Sequence, residues 1–254
     1  MAKMTVLDMT QAVLNSMGSD EVNSISDTPE ATDVATTIRD VYFNIIHSKD
    51  WPHLRELIRP TSGGNPARPT HMTIQDNIQK LLNNTMYYDS RDTVAGDPEW
   101  VLVKYLEVDE FLKHTMRRGD ALSDTNVQSV TDPSGFVFYV YNDRAPKYFT
   151  SVDDETLIFD AFNSAVDSTL QTSKMQVVAY KEPVFTLSDS FIPDLPSKVF
   201  PYLLAEVKSV CSIEIAQVAN AKQEQTSRAY KGWMALEKWR TRGGIRNLNN
   251  FGRK

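Results

Sequence analysis

Thr28-Pro29-Glu30-Ala31-Thr32-Asp33-Val34-Ala35-Thr36-Thr37-Ile38-Arg39-Asp40-Val41-Tyr42-Phe43-Asn44-Ile45-Ile46-His47-Ser48-Lys49-Asp50-Trp51-Pro52 reads as one long helix and its stop. Thr28 is a natural N-cap, Pro29 suits the first helical position, and Glu30 faces the positive end of the helix dipole. Ala31, Val34, Ala35, Ile38, Val41, Tyr42 and Ile45 recur at three and four, which places one apolar face against a core. The helix is expected to end near Lys49-Asp50, because the residue before a proline avoids helical angles.

Toward the N-terminus, Thr5 with Asp8 three residues on opens a first helix. Leu7, Val13, Leu14 and Met17 form its stripe and Gly18 its stop. Toward the C-terminus, a third long helix opens after Pro196. Its stripe of Phe200, Leu204, Val207, Cys211, Ile215 and Val218 packs toward the first two helices. Beyond Ala221 the stripe fades into Lys222-Gln223-Glu224-Gln225-Thr226-Ser227-Arg228, helix projecting past its core. The middle reads as β. Strands are expected at Leu54–Arg59, Trp100–Leu106, Phe136–Tyr141 (buried or paired on both faces) and Met175–Tyr180. Lys147–Ser151 and Thr156–Phe159 flank Val152-Asp153-Asp154-Glu155 as a hairpin. Short helices are expected at Ile74–Leu82 and Asp109–Met116, and a turn at Ser62-Gly63-Gly64-Asn65-Pro66.

The expected fold is therefore α+β. Residues 1–58 and 190–221 form a helical bundle, 59–189 an inserted mixed β region, and 222–254 an extended, basic, aromatic C-terminal tail. The tail is the compositional outlier. Residues 222–254 carry nine Lys or Arg and two Glu, net +7, whereas the whole chain is −6 and the remainder −13. The tail also holds Tyr230, Trp233, Trp239 and Phe251. Arg and aromatic residues anchor protein interfaces, and the same mixture suits single-stranded nucleic acid. A solvated tail is the plain alternative, disfavoured by the cost of leaving two tryptophans in water. The acidic remainder argues against broad nucleic-acid coating by the main body.

No apolar run approaches the ~20 residues that span a bilayer, and Met1-Ala2-Lys3-Met4-Thr5 lacks an apolar signal core. These features point to a soluble chain retained where it is made. The lone Cys211 cannot form an internal disulfide and reads as a buried structural thiol in a reducing compartment.

Catalytic templates are missing: there is no GxGxxG, P-loop, HExxH, GxSxG or CxxC. His47, His53, His71 and His114 share no metal-ligand spacing and read as surface or helix-end histidines. Asp153-Asp154-Glu155 lacks the pattern of a calcium loop and reads as a solvated turn. Glu107, Asp109 and Glu110 offer a general acid and base, but Asp109 and Glu110 suit a helix N-terminus better. Trp51 reads as a core residue closing the bundle end. No enzyme activity and no cofactor are expected.

Three segments, taken in order, resemble the head-to-tail adaptor (connector) proteins of short-tailed bacteriophages, the group that includes tail tubular protein A. The first is the helix Thr5–Met17, then Asp20-Glu21-Val22-Asn23-Ser24-Ile25-Ser26-Asp27-Thr28-Pro29-Glu30 and a helix ending in Trp51-Pro52-His53-Leu54-Arg55. The second is Ala145-Pro146-Lys147-Tyr148-Phe149-Thr150-Ser151-Val152-Asp153-Asp154-Glu155-Thr156-Leu157-Ile158-Phe159-Asp160. The third is Asp189-Ser190-Phe191-Ile192-Pro193-Asp194-Leu195-Pro196, leading to the long helix and Trp239-Arg240-Thr241-Arg242-Gly243-Gly244-Ile245-Arg246. The likeness spans nearly the whole chain, and its specificity lies in the combination.

The resemblance implies a virion structural protein, assembled in the host bacterial cytoplasm, that forms a dodecameric ring. Its partners would be the portal protein, a tail nozzle protein similar to tail tubular protein B, further copies of itself, and viral DNA passing through the lumen at genome ejection, with no membrane. Arg228, Tyr230, Trp233, Trp239, Arg240, Arg242, Arg246 and Phe251 would dock on the portal. An acidic lumen wall would let DNA slide, and multiple copies would turn a weak arm contact into a stable joint. A nucleic-acid-binding protein using the same tail is the alternative.

Overall fold

A computed structural model describes residues 3–91, 97–119, 125–215, 217–218 and 220–236. The fold is α+β and divides into two compact units: Met1–His53 with Pro183–Lys254, and Leu54–Glu182.

The first unit is helical. α1 (Val6–Met17) starts in a capping box: Asp8 N–H donates to Thr5 Oγ1 and Thr5 N–H to Asp8 Oδ2, both at 3.1 Å. It stops at Gly18, whose φ of 80° is the left-handed conformation a glycine adopts without a Cβ penalty. α2 (Pro29–Ile46) is capped by Thr28, which accepts from Ala31 N–H at 3.1 Å. α4 (Phe200–Glu214) packs on α1 and α2, α1 packs on α2, and α5 (Ala221–Leu236) packs on α4. Val6 N–H donates to Phe191 O at 2.8 Å, so the chain leaving the second unit returns to the start of α1. Trp51, fully buried, donates from Nε1 to Ile45 O at 3.3 Å and lies under the Lys49 ammonium. Each such large side chain contributes roughly 1.5–3 kcal/mol by leaving water.

Among the described residues the second unit holds twelve strands and one α-helix. The strands are β1 (Arg55–Ile58), β2 (Thr61–Ser62), β3 (His71–Thr73), β4 (Ile78–Leu81), β5 (Tyr87–Asp89), β6 (Trp100–Leu102), β7 (Lys104–Tyr105), β8 (Val127–Thr131), β9 (Val137–Tyr141), β10 (Tyr148–Ser151), β11 (Thr156–Phe159) and β12 (Met175–Lys181). α3 (Val108–Met116) lies between β7 and β8. One sheet runs β1-β12-β5-β6 with β4 also on β12, another β2-β3-β11-β10-β7, and β8-β9 form a hairpin. β10 and β11 pair in the register Phe149↔Phe159, Thr150↔Ile158, Ser151↔Leu157. Met72, Phe111, Phe149, Phe159, Met175 and Val177 are central to the core of this unit.

Several expectations fail in instructive ways. Ile74–Leu82 is not a helix: Ile78–Leu81 is a strand paired with β12. Trp100–Leu106 is interrupted at Val103, which is fully buried between β6 and β7. β9 pairs with β8 along its length, and its side chains alternate between buried and less buried. Phe136, before the strand, is 60% exposed. The buried face of α1 runs through Val6, Met9, Val13 and Leu14 rather than through Leu7 and Met17. α4 ends at Glu214, so Ile215 and Val218 lie past the helix and Val218 is exposed. The segment from 222 is not extended throughout, because α5 takes it to Leu236 as helix.

Candidate functional site

α5 presents two faces. On one, Ser227 and Met234 are buried. Ser227 Oγ donates to Glu206 on α4, and Lys49 Nζ donates to the Met234 carbonyl at 3.1 Å. These two positions, seven apart, lie on one stripe of the helix and fix it to its neighbours. The other face is open. Thr226, Ala229, Tyr230 and Trp233 line a shallow cavity of about 710 Å³ together with Gln225 and Lys198. Trp233 is 40% exposed. Spacings of four and three put Thr226, Tyr230 and Trp233 on one face as a row of candidate anchors.

Of the expected docking residues, the structure therefore brings Tyr230 and Trp233 together. Arg228 is exposed and pairs with Glu224 one turn earlier, away from that cavity lining. Trp239, Arg240, Arg242, Arg246 and Phe251 lie outside the described residues. The arrangement offers an aromatic pair on a helix packed on α4, followed in the chain by a strongly basic segment.

The histidines divide. His47 is the C-cap of α2, and a ring nitrogen of His53 lies 3.0 Å from the Asp194 carbonyl oxygen. His71 is not a surface residue: it is 8% exposed and lies 3.2 Å from Asp132. Burial holds its imidazole below the ordinary histidine value even though Asp132 pulls the other way. His114 is half-buried and takes a hydrogen bond from Arg118 at 2.8 Å. A guanidinium can only donate, so that ring nitrogen accepts and the imidazole is neutral. Burial first, then the Arg118 charge, lowers its pKa.

Cys211 is buried, and burial pushes its thiol up to about 11. Asp153 forms a turn by accepting from Glu155 N–H at 3.1 Å and Thr156 N–H at 2.7 Å. Asp109 and Glu110 lie in the first turn of α3. Among the described residues no group of three or more His, Cys, Asp or Glu is placed to hold a metal ion, and no helix is long and apolar enough to cross a membrane. The sequence matches no known family model and no curated protein.

Proposed function

We propose that this chain is a head-to-tail adaptor of a short-tailed bacteriophage: a virion structural protein that forms a ring between portal and tail nozzle and lines the DNA channel. In this reading α1, α2 and α4 form the helical bundle of the adaptor, and α5 begins the arm that docks on the portal. The observation that carries it is the open face of α5, where Tyr230 and a 40% exposed Trp233 share a cavity at the start of the basic segment. A helix that keeps one face on its own protein and offers aromatics on the other is suited to a helix-in-groove partner. The ordered likeness of the three sequence segments to such adaptors, and the acidic charge of residues 1–221, support the same reading.

The test is electron cryomicroscopy of the full chain mixed with the portal protein of the same virion, beside a Tyr230→Ala/Trp233→Ala variant and a chain ending at Leu236. Both changes leave the contacts of Ser227 with Glu206 and of Met234 with Lys49 in place. A closed ring on the portal with the intact chain, lost or much weakened in the variants, is expected. Equal ring formation by all three would refute docking through this arm. The second reading, nucleic-acid binding by the tail, rests on its net charge of +7. It requires DNA affinity that falls steeply with salt.

A further inference from the structure

In the unit Leu54–Glu182, β4, the paired strands β10 and β11, and Tyr105 of β7 surround a cavity of about 360 Å³. One wall comes from the hairpin. Ser151 pairs with Leu157, and Phe149 lies two residues back along β10, so all three side chains share one face. All three line the cavity. The facing wall depends on an irregularity in β4. Lys80 pairs with Tyr180 and Ile78 with Lys181, which leaves Gln79 as an extra residue with no position opposite it on β12. Such a bulge re-aims side chains. Ile78 and Leu81, three apart, accordingly both line the cavity and both pack against the core. Ile74, Ile78, Leu81 and Tyr105 stay half-buried, so the core is open at this end.

Two features mark the cavity out from a packing gap. The Ser151 hydroxyl oxygen is buried, yet among the described residues it has no hydrogen-bond partner, a cost that folds ordinarily avoid. Asp154, also in the lining, has a φ of 61°, a left-handed conformation that residues other than glycine seldom adopt. Tyr105 and Phe149 meet edge to face with ring centroids 5.5 Å apart. The charged residues of the lining, Lys80 and Asp154, are exposed and opposite in sign.

We infer that this cavity is a binding site for a small uncharged aromatic molecule that carries one O–H or N–H group. The aliphatic walls and the Tyr105–Phe149 pair take the ring. The Ser151 oxygen accepts the hydrogen, which gives a buried group the partner it lacks. The volume lies at the lower end of small-ligand pockets, roughly 300–1,000 Å³, which suits a single ring or a fused pair. An ionised ligand would leave water against apolar walls, at a cost that favours the neutral molecule. The inference does not depend on the adaptor reading.

The experiment titrates the full chain with phenol and with fluorobenzene, a ring without the O–H, and follows backbone amide shifts by NMR. Two variants run alongside, Ser151→Ala and Ile78→Trp. The first removes a hydroxyl that has no partner, so folding should be kept. The second fills the mouth of the cavity from a half-buried position. Circular dichroism checks both. Four results together support the site: saturable shifts centred on Ser151, Asp154 and Leu81, phenol affinity about fivefold weaker in Ser151→Ala, fluorobenzene affinity unchanged by that substitution, and loss of both probes in Ile78→Trp. No saturable shift with phenol, shifts centred elsewhere, or equal phenol affinity in wild type and Ser151→Ala overturns it. If Ile78→Trp does not fold, the comparison with Ser151→Ala decides alone.

Discussion

Replacing Asp160 by alanine tests whether the buried ion pair of Arg118 and Asp160 in the second unit is as closely balanced as its geometry implies. Asp160 is the only described carboxylate hydrogen-bonded to Arg118, with Oδ2 2.8 Å from Nη2. Asp160→Ala leaves a buried guanidinium uncompensated, a change that typically costs about 3–5 kcal/mol. The N–H groups of Lys147 and Tyr148, which donate to Asp160 Oδ1 at 2.9 Å, also lose their acceptor, but they line an open cleft where water replaces it, so they add little. Asp160→Asn separates the contributions. It keeps an oxygen for the two N–H groups but turns an amino group toward Arg118, so it should retain most of the cost if charge dominates. Replacing both partners, as Arg118→Met/Asp160→Leu, removes the uncompensated charge and should recover much of the loss. Equilibrium urea denaturation followed by far-UV circular dichroism is the assay. At an m-value of about 2 kcal/mol/M, a loss of 4 kcal/mol moves the midpoint by about 2 M. A single-variant cost below about 1 kcal/mol, in the range of exposed pairs, would refute the reasoning.

Cys211 should not react with iodoacetamide at about pH 8, because burial raises the thiol to about 11 and removes the thiolate that attacks. Rapid labelling of the native protein would contradict this, whereas labelling in denaturant is expected. His71 gives a pH dependence with a definite sign. Its folded pKa lies below the ordinary value, so the unfolded chain takes up the proton first as pH falls. Its contribution is complete above about pH 6.5 and is lost as pH falls toward the folded value. Burial alone would raise the Asp132 carboxyl, but hydrogen bonds from Ser134 and His71 hold it below the usual range, which extends the loss to lower pH. Melting temperatures of the wild type should fall over that interval and those of His71→Gln should fall less. Parallel curves would show that the pair does not titrate in this way.

α2 is legible because every local signal agrees: Thr28 as cap, Pro29 at the first position, and an apolar period that matches its buried face. Ile78–Leu81 misleads because Ile74, Ile78, Leu81 and Leu82 have helical spacing. The deciding interaction is the pairing of Leu81 with Ala179 and of Lys80 with Tyr180, a hundred residues away. α5 is faint for a different reason: the buried residues of its described face are a serine bonded to Glu206, Ser227, and a methionine seven residues on, Met234, too sparse a period to read. The burial of His71 is invisible because its partner, Asp132, is 61 residues on. The pairing of Arg118 with Asp160 is hidden in the same way, across 42 residues.

The helical part of the tail changes what a docking arm built on it would do. Lys222, Glu224, Arg228 and Lys231 give α5 a net charge of +2, and the Glu224–Arg228 pair offsets part of that locally. The other +5 lies in residues 237–254. The two described aromatics thus lie on the less charged part of the arm, while Trp239 and Phe251 share residues 237–254 with the greater charge. Tyr230 and Trp233 sit on a helix already fixed to α4, so burying them in a partner costs little new order, and desolvated aromatics chiefly lengthen the life of a complex. The distal charges act at longer range, on encounter rate and salt dependence. In the proposed ring, which would find a portal and then hold against the passage of DNA, the charge of residues 237–254 would set the speed of assembly, and the face of α5 that carries Tyr230 and Trp233 would add to its permanence.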